Sequence, residues 1–456
     1  MIHSDKDPIV AIATAAGRGG IGIVRVSFSK ALDREMQTLL FDEETELVAR
    51  HAHLLPFKDE AGHTLDRAIV LFFPAPNSYT GESVIEIQAH GGPVLMKMIL
   101  QAVLEKARSL DIRLAEPGEF TKRAYMNGQM DLAQAEAVAD LIDAVSESAV
   151  QAAGRSLQGD FSRAVHDISA EVNELRAFVE ATLDFPEEEI DHLQASHILS
   201  RIADVKTALE DVIDNARQGS VLREGVTVAI VGSPNVGKSS LLNALALQEV
   251  AIVTDIPGTT RDKIEHWVNI NGIPVKMVDT AGIRETLDVV ESKGIERTLA
   301  EIRKADVVLH LTDASGRVAD DEVVLERVLS EVRKGVPLVN VCNKTDLLAT
   351  KKSGNEFFIS ARTGEGLPAL KDHLLQVVGM ASSTDGLFMA RERHLVCLKG
   401  ALEHIRIAVE MGSDISMIEL LAEELRLAGR CLGDILGETT SDDILGIIFG
   451  KFCIGK

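Results

Sequence analysis

Hydrophobic positions change their period along the chain and so divide it into unlike segments. Short apolar runs at Val10 to Thr14, Ile21 to Val26, Ala68 to Phe73 and Val84 to Gln88 predict strands. The first two flank a glycine-rich turn, Gly17-Arg18-Gly19-Gly20, and Pro74-Ala75-Pro76-Asn77-Ser78 reads as a loop. Farther on, Val138, Leu141, Ile142, Val145 and Ala149 follow helical spacing. Phe161, Val165, Ile168, Val172, Leu175 and Val179 alternate four and three residues apart, which draws one apolar seam along a helix. Phe185-Pro186 ends that helix, because proline cannot continue it. Ile202, Val205, Leu209 and Val212 begin a second seam.

The pattern then alternates. Val226 to Val231, Val275 to Val278, Val307 to Leu311, Leu338 to Cys342 and Phe357 to Ile359 predict strands separated by helical segments. Such alternation predicts a mostly parallel sheet covered by helices. Helical spacing returns with Leu395, Leu398, Leu402 and Ile405. The expected fold is multidomain α/β plus α. It comprises an N-terminal α/β domain (1–120), a helical domain in two parts (121–217 and 381–456), and an α/β domain (218–380) inserted between them.

Composition narrows the function. The 456 residues carry 47 Lys plus Arg against 70 Asp plus Glu, a net charge of −23. A protein that grips RNA or DNA by itself needs cationic surface, so a local patch or a partner would have to supply it. Cys342, Cys397, Cys431 and Cys453 form no CxxC pair, which argues against structural zinc or a disulfide framework. With no basic–apolar leader and no membrane-length apolar run, the expected compartment is a reducing cytoplasm.

The candidate chemistry is nucleotide binding. Gly232-Ser233-Pro234-Asn235-Val236-Gly237-Lys238-Ser239 matches G-x-x-x-x-G-K-[ST] between a strand and a helix. Backbone N–H groups of such a loop wrap phosphates, Lys238 neutralises β/γ oxygens, and the Ser239 hydroxyl ligates Mg²⁺. Asp279-Thr280-Ala281-Gly282 follows at a strand end, placing a carboxylate near the magnesium shell and an N–H near the γ-phosphate. Asn343-Lys344-Thr345-Asp346 ends another strand. The Asp346 carboxylate matches the two adjacent donors of guanine, which adenine lacks. Ser360-Ala361 closes the base pocket, and Thr254 to Asp262 is the expected first switch, with Thr260 the second hydroxyl ligand of Mg²⁺. These ordered elements resemble the Ras-like GTPase superfamily. One departure stands out: Ile283 occupies the position of that superfamily's water-orienting glutamine, leaving Arg284, Glu285 and Glu291 as candidates for the task.

The whole chain resembles the MnmE (TrmE) family of tRNA-modification GTPases. The resemblance rests on Gly17-Arg18-Gly19-Gly20, Pro117-Gly118-Glu119-Phe120, Leu132 to Asp143, Asp184-Phe185-Pro186-Glu187-Glu188-Glu189, the GTPase set and the terminal Phe452-Cys453-Ile454-Gly455-Lys456. It implies a tetrahydrofolate-binding-like N-terminal domain that dimerises, and GTPase domains that meet when nucleotide is bound. It further implies K⁺ in place of an arginine finger, with Asn235, Thr254, Ile256 and Thr259 as ligands, and Glu291 orienting water. GTP contacts are implied at Asn235 to Ser240, Thr254, Asp255, Ile256, Pro257, Gly258, Thr259, Thr260, Asp279 to Gly282, Asn343, Lys344, Asp346, Ser360, Ala361 and Arg362. Folate contacts are implied at Arg25, Glu82 and Lys456, with Gln129 standing where the family usually has Lys. The implied partner is the FAD-dependent MnmG (GidA), in a heterotetramer or larger complex that carries the tRNA. Together they add an aminomethyl or carboxymethylaminomethyl group at C5 of wobble uridine 34, from a methylene-tetrahydrofolate carbon and ammonium or glycine.

Cys453 reads either as a reactive tail thiol or as a small residue docking the tail between Phe452 and Ile454. His90 reads as a turn histidine. The alternative function is a ribosome-assembly or regulatory GTPase switch.

Overall fold

The computed structural model describes residues 6–184, 192–233, 235–248, 266–279, 300, 302–314, 316, 321–348, 356–380, 386–411, 417–438, 442–450 and 452–455. They fall into two compact units, 1–139 with 430–456, and 140–429.

The first unit is built on a sheet with strands β1 (Ile9–Ile12), β2 (Gly22–Phe28), β3 (His53–Lys58), β4 (Thr64–Phe73), β5 (Ser83–Ala89) and β6 (Arg113–Leu114), in the order β3-β4-β5-β2-β1-β6. All pairings are antiparallel except β1 with β6. Alternation along β2 and β5 separates two faces. Val24, Val26, Ile85 and Ile87 pack under helix Pro93–Lys106 through its Met96, Ile99 and Val103. Arg25, Ser27 and Glu86 stand on the other face. Strand β3, which sequence pattern missed, holds Pro56 on an edge strand, the position in a sheet where proline is tolerated.

The second unit combines long helices with a sheet of β7 (Val226–Val231), β8 (His266–Ile270), β9 (Ile273–Asp279), β10 (Val307–Asp313), β11 (Leu338–Asn343) and β12 (Phe357–Phe358). Its order is β12-β11-β10-β7-β9-β8, parallel throughout except for the edge strand β8. Neighbours on the two sides of β7 leave it in opposite directions, so its carboxyl end is the topological switch point where α/β sheets bind ligands.

The predicted seams are the helix cores. Phe161, Val165, Ile168, Val172, Leu175 and Val179 are buried in helix Asp160–Asp184, and Ile202, Val205, Leu209 and Val212 in helix His192–Glu224. Leu395, Leu398, Leu402 and Ile405 do the same in Glu392–Met411. At about 1.5–3 kcal/mol per fully buried aliphatic side chain, these seams outweigh the modest propensity of each helix. One spacing misled: Val138 to Ala149 is not one helix. Helix Leu132–Asp143 ends, and Ser146 starts Glu147–Leu157 by accepting the Ala149 N–H at 3.2 Å.

Candidate nucleotide-binding site

The phosphate loop leaves β7 and enters helix Lys238–Gln248. Lys238 is buried, and its ammonium donates to the carbonyls of Gly232 at 2.7 Å and Ser233 at 3.0 Å. The loop is thereby folded back around the lysine, the arrangement that presents backbone N–H groups outward to phosphate. Gly237 has φ +102°, and a Cβ there would overlap the side-chain amide nitrogen of Asn343. Ser239 and Ser240 are exposed in the first helical turn, so the Ser239 hydroxyl is free to take a cation. Asn235 is exposed in the left-handed region, with φ 67°. Val236 is buried and anchors the loop to the core.

The base loops converge on the same end of the sheet. Asn343 donates to the Val236 carbonyl at 2.9 Å and accepts the Ala361 N–H at 3.0 Å. Ser360 donates to the Asp346 carboxylate at 2.8 Å, and the Thr363 N–H donates back to Ser360 Oγ at 3.2 Å. One carboxylate oxygen is thus oriented by protein, and the group remains an acceptor for a paired-donor base edge. Lys344, at φ 65°, pairs with Asp313 at 2.7 Å. Asp313 was not singled out by sequence. Its only signal was its place at the end of β10, beside β11. Arg362 follows Ala361 in the loop after β12 and is exposed.

Asp279 ends β9, which runs parallel to β7, so its backbone reaches the same end of the sheet. Thr254, Asp255, Ile256, Pro257, Gly258, Thr259, Thr260, Thr280, Ala281, Gly282, Glu291 and the alternatives Arg284 and Glu285 lie outside the described residues. The loop, the lysine, the exposed serine hydroxyl and the Asp346 carboxylate fit a guanine nucleotide with a hard divalent cation.

The first unit holds a separate polar cluster. Arg25 Nε donates to Glu86 at 2.9 Å, and its guanidinium lies over Tyr79 and Phe120, 5.5 and 5.8 Å from the ring centroids. Glu86 was not predicted, although its register opposite Arg25 is set by the strand pairing. Glu82 accepts from Ser27 at 2.7 Å and from Arg123 at 3.0 Å, so its carboxylate is already engaged. Arg123 is buried and also bonds Glu119 at 2.8 Å and the Asp7 carbonyl at 2.8 Å. Burial pushes the Glu119 carboxyl up, but the Arg113 fork, the Glu116 N–H and Arg123 prevail and hold its pKa at about 2. Tyr79 is pushed above its usual phenol value by burial. Gln129 is exposed beside Gly81, while Lys456 lies outside the described residues.

The tail docks here. Ile454 bridges Pro117, the Cys453 carbonyl accepts the Gly118 N–H at 3.3 Å, and Phe452 is buried with Phe449, Leu132 and Ala135. The Cys453 side chain is exposed. His90 sits at the end of β5, its ring bonded to Asp66 at 2.9 Å, in keeping with a turn histidine. Among the described residues, no cluster of His, Cys, Asp and Glu could hold a metal ion, and no helix is long and apolar enough to cross a membrane.

Residues 8–129 match the family model "GTP-binding protein TrmE N-terminus", and residues 132–453 match the MnmE helical domain. The chain is 52% identical over 468 residues to the tRNA modification GTPase MnmE of Burkholderia lata, covering 100% of both chains. It is 51% identical over 469 residues to that of Paraburkholderia xenovorans, again covering 100% of both. Among solved structures, an Era variant of Aquifex aeolicus bound to GDP and AlF4⁻ is 29% identical, with a TM-score of 0.27 over 39% of this chain and 66% of that one. With full-length identity of this order, two family models across the chain and a guanine-type phosphate-loop site, the chain belongs to the MnmE (TrmE) family of tRNA modification GTPases and is a GTP hydrolase.

Proposed function

We propose that this GTP hydrolase is activated by K⁺ and acts in the cytoplasm as a homodimer on the wobble uridine 34 of certain tRNAs. Its partner is an FAD-dependent MnmG-type protein, in a heterotetramer or larger complex. The product is an aminomethyl or carboxymethylaminomethyl group at C5, with the carbon drawn from a tetrahydrofolate derivative. The observation that carries this reading is the joining of the guanine loop to the phosphate loop through Asn343, in a chain related to MnmE proteins over its full length.

In this reading Lys238 and the loop N–H groups hold the β- and γ-phosphates, Ser239 and Thr260 hold Mg²⁺, and Asp346 selects guanine. Mg²⁺ neutralises developing phosphate charge. Asn235, an exposed neutral oxygen donor on the loop, suits a monovalent cation together with Thr254, Ile256 and Thr259. Glu291 orients the attacking water. At the folate site Arg25 is the cationic contact, Gln129 a neutral hydrogen-bonding one and Lys456 the tail's charge. Glu86, hydrogen-bonded to Arg25, joins Glu82 as a candidate acceptor for the pterin's donor edge. The strongly acidic net charge of −23 is consistent with tRNA held mainly by the partner.

The test compares GTP hydrolysis by the full chain in KCl and in NaCl at equal ionic strength. Acceleration of about tenfold or more by K⁺ is expected, the scale of a well-placed charge-stabilising group. Equal slow rates in the two salts would overturn the cation site.

A further inference from the structure

We propose that Asp140 is a positioning residue that ties both crossings between the helices and the GTPase sheet to one carboxylate, and so couples GTP hydrolysis to tRNA modification. Asp140 is buried near the end of helix Leu132–Asp143. Its Oδ1 accepts from Arg223 Nε at 2.9 Å and from Arg391 Nη2 at 2.8 Å, and its Oδ2 accepts from Arg391 Nε at 3.3 Å. All three residues belong to the second unit.

The two arginines flank the sheet in sequence. Arg223 is in the last turn of helix His192–Glu224, just before β7, the strand that ends in the phosphate loop. Arg391 directly precedes helix Glu392–Met411, where the chain has left the sheet. The outbound segment is fastened along its length. Arg155 Nε donates to the Leu387 carbonyl at 2.6 Å, Ser156 Oγ to the Met389 carbonyl at 3.1 Å, and the Arg391 N–H to His394 Nδ1 at 3.1 Å. On the inbound side, the Gly225 N–H bonds the Val221 carbonyl at 2.9 Å and the Thr227 N–H bonds Asp306 at 3.0 Å. Each crossing is therefore held by its own hydrogen bonds, and Arg223 stands in the last helical turn before β7.

A carboxylate between two guanidiniums holds them through charge-assisted bonds. Without its charge, Arg223 and Arg391 lose the charged acceptor they share, Arg223 keeping its exposed-side contact to Glu224 at 3.3 Å, and both crossings are expected to loosen together. Coupling requires a residue that interacts differently with two arrangements of one connected element, and a carboxylate bonded to both crossings is placed to do so.

The test is Asp140→Asn in the full chain. GTP hydrolysis is measured on the purified protein, and modified tRNA nucleosides are quantified from cells carrying the variant as their only copy. Hydrolysis is expected to stay within about twofold of the parent while the modified nucleoside falls about tenfold, within the usual range of coupling. Asp140→Glu should restore the nucleoside. Hydrogen exchange should rise together in residues 220–226 and 387–391. Unchanged modification, or modification and hydrolysis falling in equal proportion, overturns the proposal, and so does exchange rising at one crossing alone. If Asp140→Asn fails to melt cooperatively, the double variant Arg223→Lys with Arg391→Lys keeps both charges, removes the forks and is judged by the same split.

Discussion

Asn343 donates its side-chain N–H to the Val236 carbonyl at 2.9 Å, so the loop after β11 and the loop after β7 share one hydrogen bond. That bond needs the adjacent Gly237 to lack a side chain. Gly237→Ala would place a Cβ against the Asn343 amide and force alanine to φ +102°. The expected result is a loss of about 1–3 kcal/mol of folding stability and GTP binding weakened about tenfold or more. Thermal melting and titration with a fluorescent guanine nucleotide check both. Unchanged nucleotide affinity would mean that the two loops are not mechanically joined.

In the proposed reading Asp346 selects the base. Its carboxylate is aimed by the Ser360 hydroxyl at 2.8 Å. Asp346→Asn replaces a pair of acceptors with one acceptor and one donor. That matches xanthine, which offers one donor and one carbonyl, better than guanine. GDP affinity is expected to fall about a hundredfold, with xanthosine diphosphate bound more tightly than GDP. Competition between the two nucleotides reads the outcome directly.

The elements with strong periodicity were legible from the residues alone. The seam from Phe161 to Val179 and the five apolar strands of the second sheet appear where the pattern puts them, because burial dictates the seam and the four longer strands, with the half-buried β12 pairing at the sheet edge. Strand β8 was missed although Asn271-Gly272 is a strong two-residue hairpin signal, since its His-Trp-Val-Asn-Ile sequence lacks a continuous apolar run. The break at Ser146 was also missed, because an apolar spacing can run on across a cap that only a side-chain hydrogen bond reveals. In the site, the motif residues that lie among the described ones, such as Lys238, Asn343 and Asp346, could be named from the sequence, and the residues that support them could not. Glu86, Arg123 and Asp313 matter through long-range pairing, and nothing local in the sequence announces which charge they meet.

Acid stability should report the buried charge cluster. The Glu119 carboxyl, gripped by Arg113 at 2.7 Å and Arg123 at 2.8 Å, is held at about 2, below the ordinary value of 4.5. A pKa depressed by folding contributes stability above the unfolded value and loses it as pH falls toward the folded one. The contribution is about 3 kcal/mol above pH 4.5, declining between roughly pH 4.5 and 2. In denaturant titrations, Glu119→Gln should be less stable than the parent at pH 7, and the gap should narrow across that acid window. A gap independent of pH would show that Glu119 acts by packing and not by charge.

The tail offers a separation of anchor from tip. Phe452 is buried against Phe449 and Leu132, so Phe452→Ala removes a core aromatic and should cost about 3–5 kcal/mol. Gly455 instead presses against β1: its φ is +97°, and a Cβ there would overlap the Ile12 carbonyl. Gly455→Ala should therefore lift the last residues from β1 while Phe452 keeps the rest docked. Melting should shift by only a few degrees, the scale of about 1 kcal/mol, yet carboxypeptidase should remove the terminal residues faster than from the parent. Because the Cys453 carbonyl is bonded to the Gly118 N–H at the start of helix Glu119–Met126, release of the tip should stop short of that helix. Digestion at the parent rate would mean that the Gly455 contact does not hold the tail. A large loss of stability from Gly455→Ala would mean that tip and anchor unfold as one piece.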